Sequence, residues 1–251
     1  MNTRVKTGIA GFDQMLGGGL NPGSVAIIKG APGAGKTCFG IEFLARGVEK
    51  FNEKGLYVTF EEFSEQIYRD AASLGFGFQA LKDSGQIFLL FISPEVFVNQ
   101  LTAPGGEFDQ LILKNDIKRI VVDSISIVLD VLKPANGRDF VYSFVNGLRR
   151  HRTTSLLTKE DASLFGDTTF RSEGLSFISD TLVQLKYVEI ASTLERAIVV
   201  IKHRATKHDN RIHSFTITDH GVVIGKPFAG KEGILSGSPR DIMKRVEDFY
   251  R

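Results

Sequence analysis

The sequence predicts an α/β fold: a mainly parallel, twisted sheet flanked by helices, followed by C-terminal antiparallel hairpins. Three observations carry this expectation. Short apolar runs alternate with stretches of helical spacing from residue 25 to about residue 158. A glycine-rich turn joins the first such strand to the first such helix. From residue 181 the helical spacing gives way to strand-like runs separated only by turn residues.

The elements follow in order. The apolar run 25–28, closed by Gly30, is continuous rather than alternating, which marks a strand covered on both faces. Ile41, Leu44, Ala45 and Val48 recur at helical spacing and place an amphipathic helix over 36–50. A second strand covers 55–60. Ser64 is the expected cap of the next helix, with Ile67, Ala71 and Leu74 as its stripe and Gly75 as its stop. Residues 87–92 form another buried strand and the longest unbroken apolar run, far short of the ~20 residues that span a bilayer. Arg119–Asp123 is the next strand, Phe140, Val141, Phe144, Val145 and Leu148 the next helical face, and 155–158 a further strand. Thr181–Ile190, 196–203 and 211–219 are the hairpin strands. Ser238 and Pro239, a cap and a first-turn proline, open a last helix carrying Ile242, Val246 and Phe249. The expected organisation is one domain over 1–230 and a helical appendix over 231–251.

Composition narrows the function classes. Lys and Arg number 31 against 29 Asp and Glu, a net +2, too little for a chain whose main task is to coat nucleic acid. The basic cluster Arg149, Arg150, His151 and Arg152 falls at a helix end, where cations complement the helix dipole. A single cysteine, Cys38, excludes an internal disulfide and fits a reducing compartment. It reads as a small helix residue rather than a redox centre. The N-terminal stretch MNTRVKTGIAGFDQ lacks the apolar segment of a secretory signal. The chain is therefore expected to be soluble and cytoplasmic, without a membrane partner.

Residues Gly30, Ala31, Pro32, Gly33, Ala34, Gly35, Lys36 and Thr37 satisfy G-x-x-x-x-G-K-[ST], after a strand and at the opening of a helix, with Cys38 next. Glycines let successive N–H groups turn toward phosphate oxygens, and the helix N-terminus adds fixed positive charge. Lys36 is placed for the β- and γ-phosphates and the Thr37 hydroxyl for Mg²⁺. Asp123, ending its strand, suits the same metal through water. Glu61 and Glu62 close the second strand run. A carboxylate there can polarise the water that attacks the γ-phosphate, or it can be a solvated strand end; spacing alone leaves these readings even. Neighbouring strand residues face opposite ways, so only one of the pair is expected near the phosphates.

Several segments together resemble the KaiC-like branch of the RecA/RadA ATPases, over roughly residues 1–225. They are TGIAGFDQMLGGGL from Thr7, the phosphate loop, Phe60-Glu61-Glu62, Val122-Asp123-Ser124, Ile201-Lys202-His203-Arg204, and the run from Phe215 to Gly221. The resemblance implies a RecA-like core, ATP and Mg²⁺ as cofactors, and Mg²⁺-dependent hydrolysis with Glu61, Glu62 and Lys36 as catalytic residues. It implies a homo-oligomer, commonly a hexameric ring, with ATP held between neighbours. Lys202 and Arg204 would reach the γ-phosphate bound by the next subunit. Thr206, His208, Thr218 and Asp219 would contact nucleotide from that neighbouring side, and Ser73 from within the same subunit. Read without the resemblance, Lys202 and Arg204 are charges on a strand edge that discourage aggregation.

The resemblance points to a regulatory ATPase with an unidentified protein partner. Alternatives are a RadA-like DNA-binding recombinase paralogue, and an assembly scaffold with little turnover, similar to the accessory ATPase of archaeal motility machinery. The chain departs from the pattern in three places. It carries one domain copy where the clock member has two, and Ala205 where the family usually has glycine. Ser176 and Phe177 stand where self-phosphorylating members have a Ser-Thr pair, so a two-site phosphorylation cycle is not expected and Ser176 alone is left as an acceptor.

Overall fold

A computed structural model describes residues 4–132, 137–161, 179–229, 231–234 and 240–241. A one-turn helix α1 (Phe12–Met15) precedes β1 (Val25–Gly30) and the long helix α2 (Lys36–Phe51). Then come β2 (Gly55–Thr59), α3 (Ser64–Ser73), α4 (Phe78–Asp83), β3 (Ile87–Phe91), α5 (Pro94–Thr102) and α6 (Glu107–Asn115). After β4 (Arg119–Asp123) follow α7 (Ile125–Leu132), α8 (Gly137–Arg149) and β5 (Thr154–Glu160). The remaining strands are β6 (Thr181–Ile190), β7 (Thr193–His203), β8 (His213–Thr218) and β9 (Gly221–Pro227), with a small pair β10 (Lys231–Glu232) and β11 (Arg240–Asp241).

β1 to β9 form one sheet in the order β3-β2-β4-β5-β1-β6-β7-β8-β9. The pairings from β3 across to β6 are parallel, and those from β6 to β9 are antiparallel. This is the expected α/β architecture with terminal hairpins, a RecA-like fold. Consecutive strand residues feed two separate cores, which explains the unbroken apolar runs. Ala26, Ile28, Tyr57 and Val121 join Phe39, Phe43 and Leu44 of α2 on one face of the sheet. Val25, Ile27, Leu56, Val58, Ile120 and Val122 pack against Phe97, Phe108, Phe144 and Val145 of α5, α6 and α8 on the other.

Arg119, fully buried at the start of β4, ties three segments together. It donates to Glu53 (2.6 Å), to the Phe43 carbonyl (2.9 Å) and to the Lys6 carbonyl (2.8 Å), and lies over the Phe43 and Phe51 rings. A buried charge with this many partners is satisfied rather than stranded.

The structure adjusts several expectations. β2 ends at Thr59, and Ser64 is the first residue of α3, not its cap; Phe63 caps it, and the Gln66 side chain accepts the Phe63 N–H. Helices α1 and α4 to α7 and strands β9 and β10 are additional to the predicted elements. Of the expected last helix, Arg240 and Asp241 instead pair as β11 with β10; Ser238, Pro239, Ile242, Val246 and Phe249 lie outside the described residues, as do Ser176 and Phe177. No helix among the described residues is long and apolar enough to cross a membrane.

Candidate nucleotide-binding and catalytic site

Sheet register brings the predicted residues onto one rim. Gly30 pairs with Glu160, and Thr59 with Asp123, so the carboxyl ends of β1, β2, β4 and β5 lie side by side. Open α/β sheets bind their ligands outside that end. There a cleft of about 220 Å³ is lined by Pro32, Gly33, Lys36, Thr37, Thr59, Glu61, Glu62, Asp123, Ser124 and Glu160.

The phosphate loop is built for close approach. Gly35 has φ +102°, and a β-carbon there would sit 2.7 Å from Ile217 Cδ1 of β8, so only glycine fits. Tyr187 of β6 donates its hydroxyl to the Gly33 carbonyl at 2.6 Å, bracing the loop from the hairpin side. Lys36 is only 7% exposed, and its Nζ donates to the Ala31 carbonyl at 3.0 Å. Burial pulls its pKa below the ordinary lysine value, opposed by Glu160, Asp123 and Asp161. Cys38 packs beside the core, and its thiol is pushed up to about 11 by burial, which removes thiolate chemistry at neutral pH.

Asp123 accepts three hydroxyl hydrogen bonds. Thr37 donates to Oδ2 at 2.8 Å, Tyr57 donates to the same oxygen at 2.6 Å, and Thr158 donates to Oδ1. Because the Thr37 proton is committed to Asp123, the lone pairs of Thr37 are left for a cation. The oxygen donors suit Mg²⁺, and their small number suits a metal that shares its ligands with substrate phosphates. No group of three or more His, Cys, Asp or Glu that could hold a metal gathers among the described residues.

Glu61 and Glu62 both line the cleft, which corrects the expectation that only one could approach it. Strand alternation does not govern them, because β2 stops at Thr59 and the chain bends before α3. The Glu62 N–H donates to Thr59 Oγ1 at 3.2 Å, while its Oε2 is buried without a hydrogen-bond partner. Burial first, then Asp123, Asp70 and Glu61, holds the Glu62 carboxyl above the usual carboxylate range, against the pull of Arg69. A carboxylate raised in this way beside the glycine-rich loop has the character of a general base.

The family model described as ATPase: KaiC matches residues 5–228. The chain belongs to the KaiC family of ATPases. It is 31% identical over 242 residues to the circadian clock protein KaiC3 of Synechocystis sp. (strain ATCC 27184 / PCC 6803 / Kazusa), covering 94% of this chain and 46% of that protein. It is 32% identical over 246 residues to the circadian clock oscillator protein KaiC of Thermostichus vulcanus, covering 96% and 46%. Against the protein of the same description from Parathermosynechococcus lividus, identity is 34% over 226 residues, covering 87% and 42%. The chain spans about half the length of the curated relatives it matches.

The other residues that the KaiC resemblance singles out form two groups. Lys202 and Arg204 lie at the end of the sheet away from the phosphate loop. His203 pairs with Thr181, and Thr181 pairs with Ala26 at the start of β1. From Ala26 to Gly30 the strands rise roughly 13 Å. Lys202 donates to the Ser179 carbonyl at 2.6 Å, and the Arg204 carbonyl accepts from Asn21 at 3.0 Å. Thr206 and His208 share this end; the Thr206 hydroxyl donates to the Arg204 carbonyl at 3.2 Å, and His208 Nδ1 is buried without a partner.

Thr218 and Asp219, which the resemblance groups with the neighbour-facing set, lie instead at the phosphate-loop end. β8 runs antiparallel to β7 and carries its last residues back there. The Asp219 carbonyl oxygen packs so closely on Gly75 that a β-carbon would lie 2.5 Å from it, which brings Asp219 near Ser73 in the same chain. The β8–β9 turn is anchored by Glu42 of α2, which accepts the Val222 N–H at 2.6 Å. Sequence reading missed Tyr57 and Thr158, which are buried and donate to Asp123, Glu160 at the cleft, and Tyr187 behind the loop.

Proposed function

We propose that this KaiC-family domain is a Mg²⁺-dependent ATPase that works as a homo-oligomer, a hexameric ring, with each nucleotide held between two subunits. It acts as a cytoplasmic regulator of a protein partner. The ATPase domain is taken as 1–230, with 231–251 as an appendix. The single observation behind this reading is the separation of two half-sites in one chain. The phosphate loop, Thr37, Asp123 and the Glu61–Glu62 pair share one rim, whereas Lys202 and Arg204 stand at the opposite strand ends. A cationic finger placed there serves a neighbour's loop better than its own.

In this reading the loop N–H groups of residues 30, 31 and 33–38 and Lys36 bind the phosphates, with Ser73, Thr218 and Asp219 on the same subunit's side. Thr37, directly, and Asp123, through water, hold Mg²⁺, which supplies charge neutralisation at the phosphates. Glu62, with Glu61 beside it, takes a proton from the attacking water. Lys202 and Arg204 of the adjoining subunit stabilise charge on the transferring phosphoryl group, and Thr206 and His208 complete that side. The relatives' descriptions as clock proteins support a regulatory role. Binding to DNA is not favoured, since Arg149 pairs with Asp180 at 2.6 Å, and Arg150 and His151 meet the buried Asp109 at 2.7 and 2.8 Å.

The test is complementation. Arg204→Ala should bind ATP yet hydrolyse it about 10³-fold more slowly, as loss of a trans finger does. Mixed with Lys36→Ala after subunit exchange, it should regain activity with a maximum at an intermediate ratio. Activity that stays at background while labelled subunits are seen to exchange rejects the shared site. Light scattering with and without ATP, read beside phosphate release, separates a working ring from a scaffold with negligible turnover.

A further inference from the structure

Tyr57 occupies a place where a hydroxyl has little reason to be. It sits mid-strand in β2, fully buried, packed in the core cluster with Phe39, Phe43 and Val121. α2 has a glycine opposite it: a β-carbon on Gly40 would lie 2.9 Å from Val121 and 3.7 Å from the Tyr57 ring. Phenylalanine would fill the same space without bringing a polar atom into the core. A buried phenol needs a partner, and here the partner is Asp123 Oδ2 at 2.6 Å. That oxygen also receives the Thr37 proton at 2.8 Å, and Thr158 holds the other oxygen.

We propose that Tyr57 is a positioning residue for the Mg²⁺-nucleotide complex: its hydroxyl fixes the Asp123 carboxylate, whose Oδ2 would then orient Thr37 as a ligand of the cation. This rests on reading the cleft as an ATP site. A short hydrogen bond from a neutral donor to a carboxylate is among the stronger kinds, so its loss should be measurable at the metal. The Tyr57 hydroxyl donates to Asp123 and Lys36 Nζ to the Ala31 carbonyl, so phosphate binding without metal should be indifferent to Tyr57.

The test is Tyr57→Phe, with a fluorescent N-methylanthraniloyl-ATP as probe, titrated in EDTA and then at rising Mg²⁺. The variant should match wild type within about twofold in EDTA. It should need roughly tenfold more Mg²⁺ for half of the metal-dependent gain in affinity. In an Asp123→Asn background the added Tyr57→Phe change should have no further effect on the Mg²⁺ requirement, since the pair acts as a unit. An unchanged Mg²⁺ requirement, an equal loss with and without metal, or a full Tyr57→Phe effect persisting in Asp123→Asn each overturns the proposal. So does a Tyr57→Phe chain that fails to fold, which would make the hydroxyl a structural tie. Wild-type protein that binds no nucleotide overturns the ATP-site reading and this proposal together; Mg²⁺-dependent wild-type binding with an indistinguishable variant overturns this proposal alone.

Discussion

Glu62→Gln isolates the chemistry of the cleft from its binding function. Glutamine keeps the size of the side chain and removes its charge and basicity. Lys36, Thr37 and Asp123 make no hydrogen bond to Glu62, so ATP affinity should stay within about twofold. Loss of a positioned general base costs ~10²–10⁴-fold in rate, equivalent to a barrier higher by roughly 3–5 kcal/mol. The structure also fixes the sign of the pH dependence. Burial and three neighbouring carboxylates hold the Glu62 pKa above its ordinary value of 4.5. A base works only when deprotonated, so activity should fall as pH drops through that raised value. Each further unit removes about tenfold of the competent form. Glu61→Gln deletes one of the groups that raise Glu62, so its acid limb should move to lower pH while its rate near neutrality falls less than that of Glu62→Gln. The assay is single-turnover release of labelled phosphate from pre-bound ATP after Mg²⁺ addition, from about pH 5 to about pH 9, beside calorimetric binding. A Glu62→Gln rate within about threefold of wild type, or an acid limb unmoved in Glu61→Gln, refutes the assignment.

Two further outcomes are expected. Lys36→Ala removes the buried cation of the phosphate loop, and calorimetry should show ATP affinity reduced by about 10²-fold or more; near wild-type affinity contradicts the loop's role. Ala205 has φ +55°, a left-handed conformation that costs a residue with a β-carbon ~1–2 kcal/mol. Ala205→Gly should relieve it and, after the entropy cost of glycine, raise unfolding free energy by about 0.5–1 kcal/mol. A denaturant midpoint that falls counts against strain at this position.

The parallel core could be read because its strands are apolar on consecutive residues, and the phosphate loop because its chemistry is contiguous in the chain. The helices between β3 and β5 were harder. α7 runs Ile-Ser-Ile-Val-Leu-Asp-Val-Leu, so rich in branched apolar residues that periodicity gives no helical face. α5 did carry a signal: Ser93 caps it, accepting the Val96 N–H, with Pro94 in its first turn. That is the same pairing that drew attention to Ser238 and Pro239. Strand alternation does not describe Glu61 and Glu62 because they lie two and three residues beyond the end of β2. Tyr57 and Thr158 could not be found at all. They lie 66 and 35 residues from Asp123, and only sheet register brings their hydroxyls to one carboxylate.

The distance between the phosphate loop and Arg204 along the sheet would give the proposed ring a countable property. In the proposed ring each protomer would offer a socket at one end of its strands and a plug at the other. In an open arc, one terminal subunit keeps an empty socket and the other an idle plug, so working junctions number one fewer than subunits. Closure mates that last pair, and the tally becomes equal. In the proposed ring, working junctions per protomer would rise with arc length and reach one only on closure, and a sub-stoichiometric capping subunit lacking only its plug would silence one junction while leaving the others running.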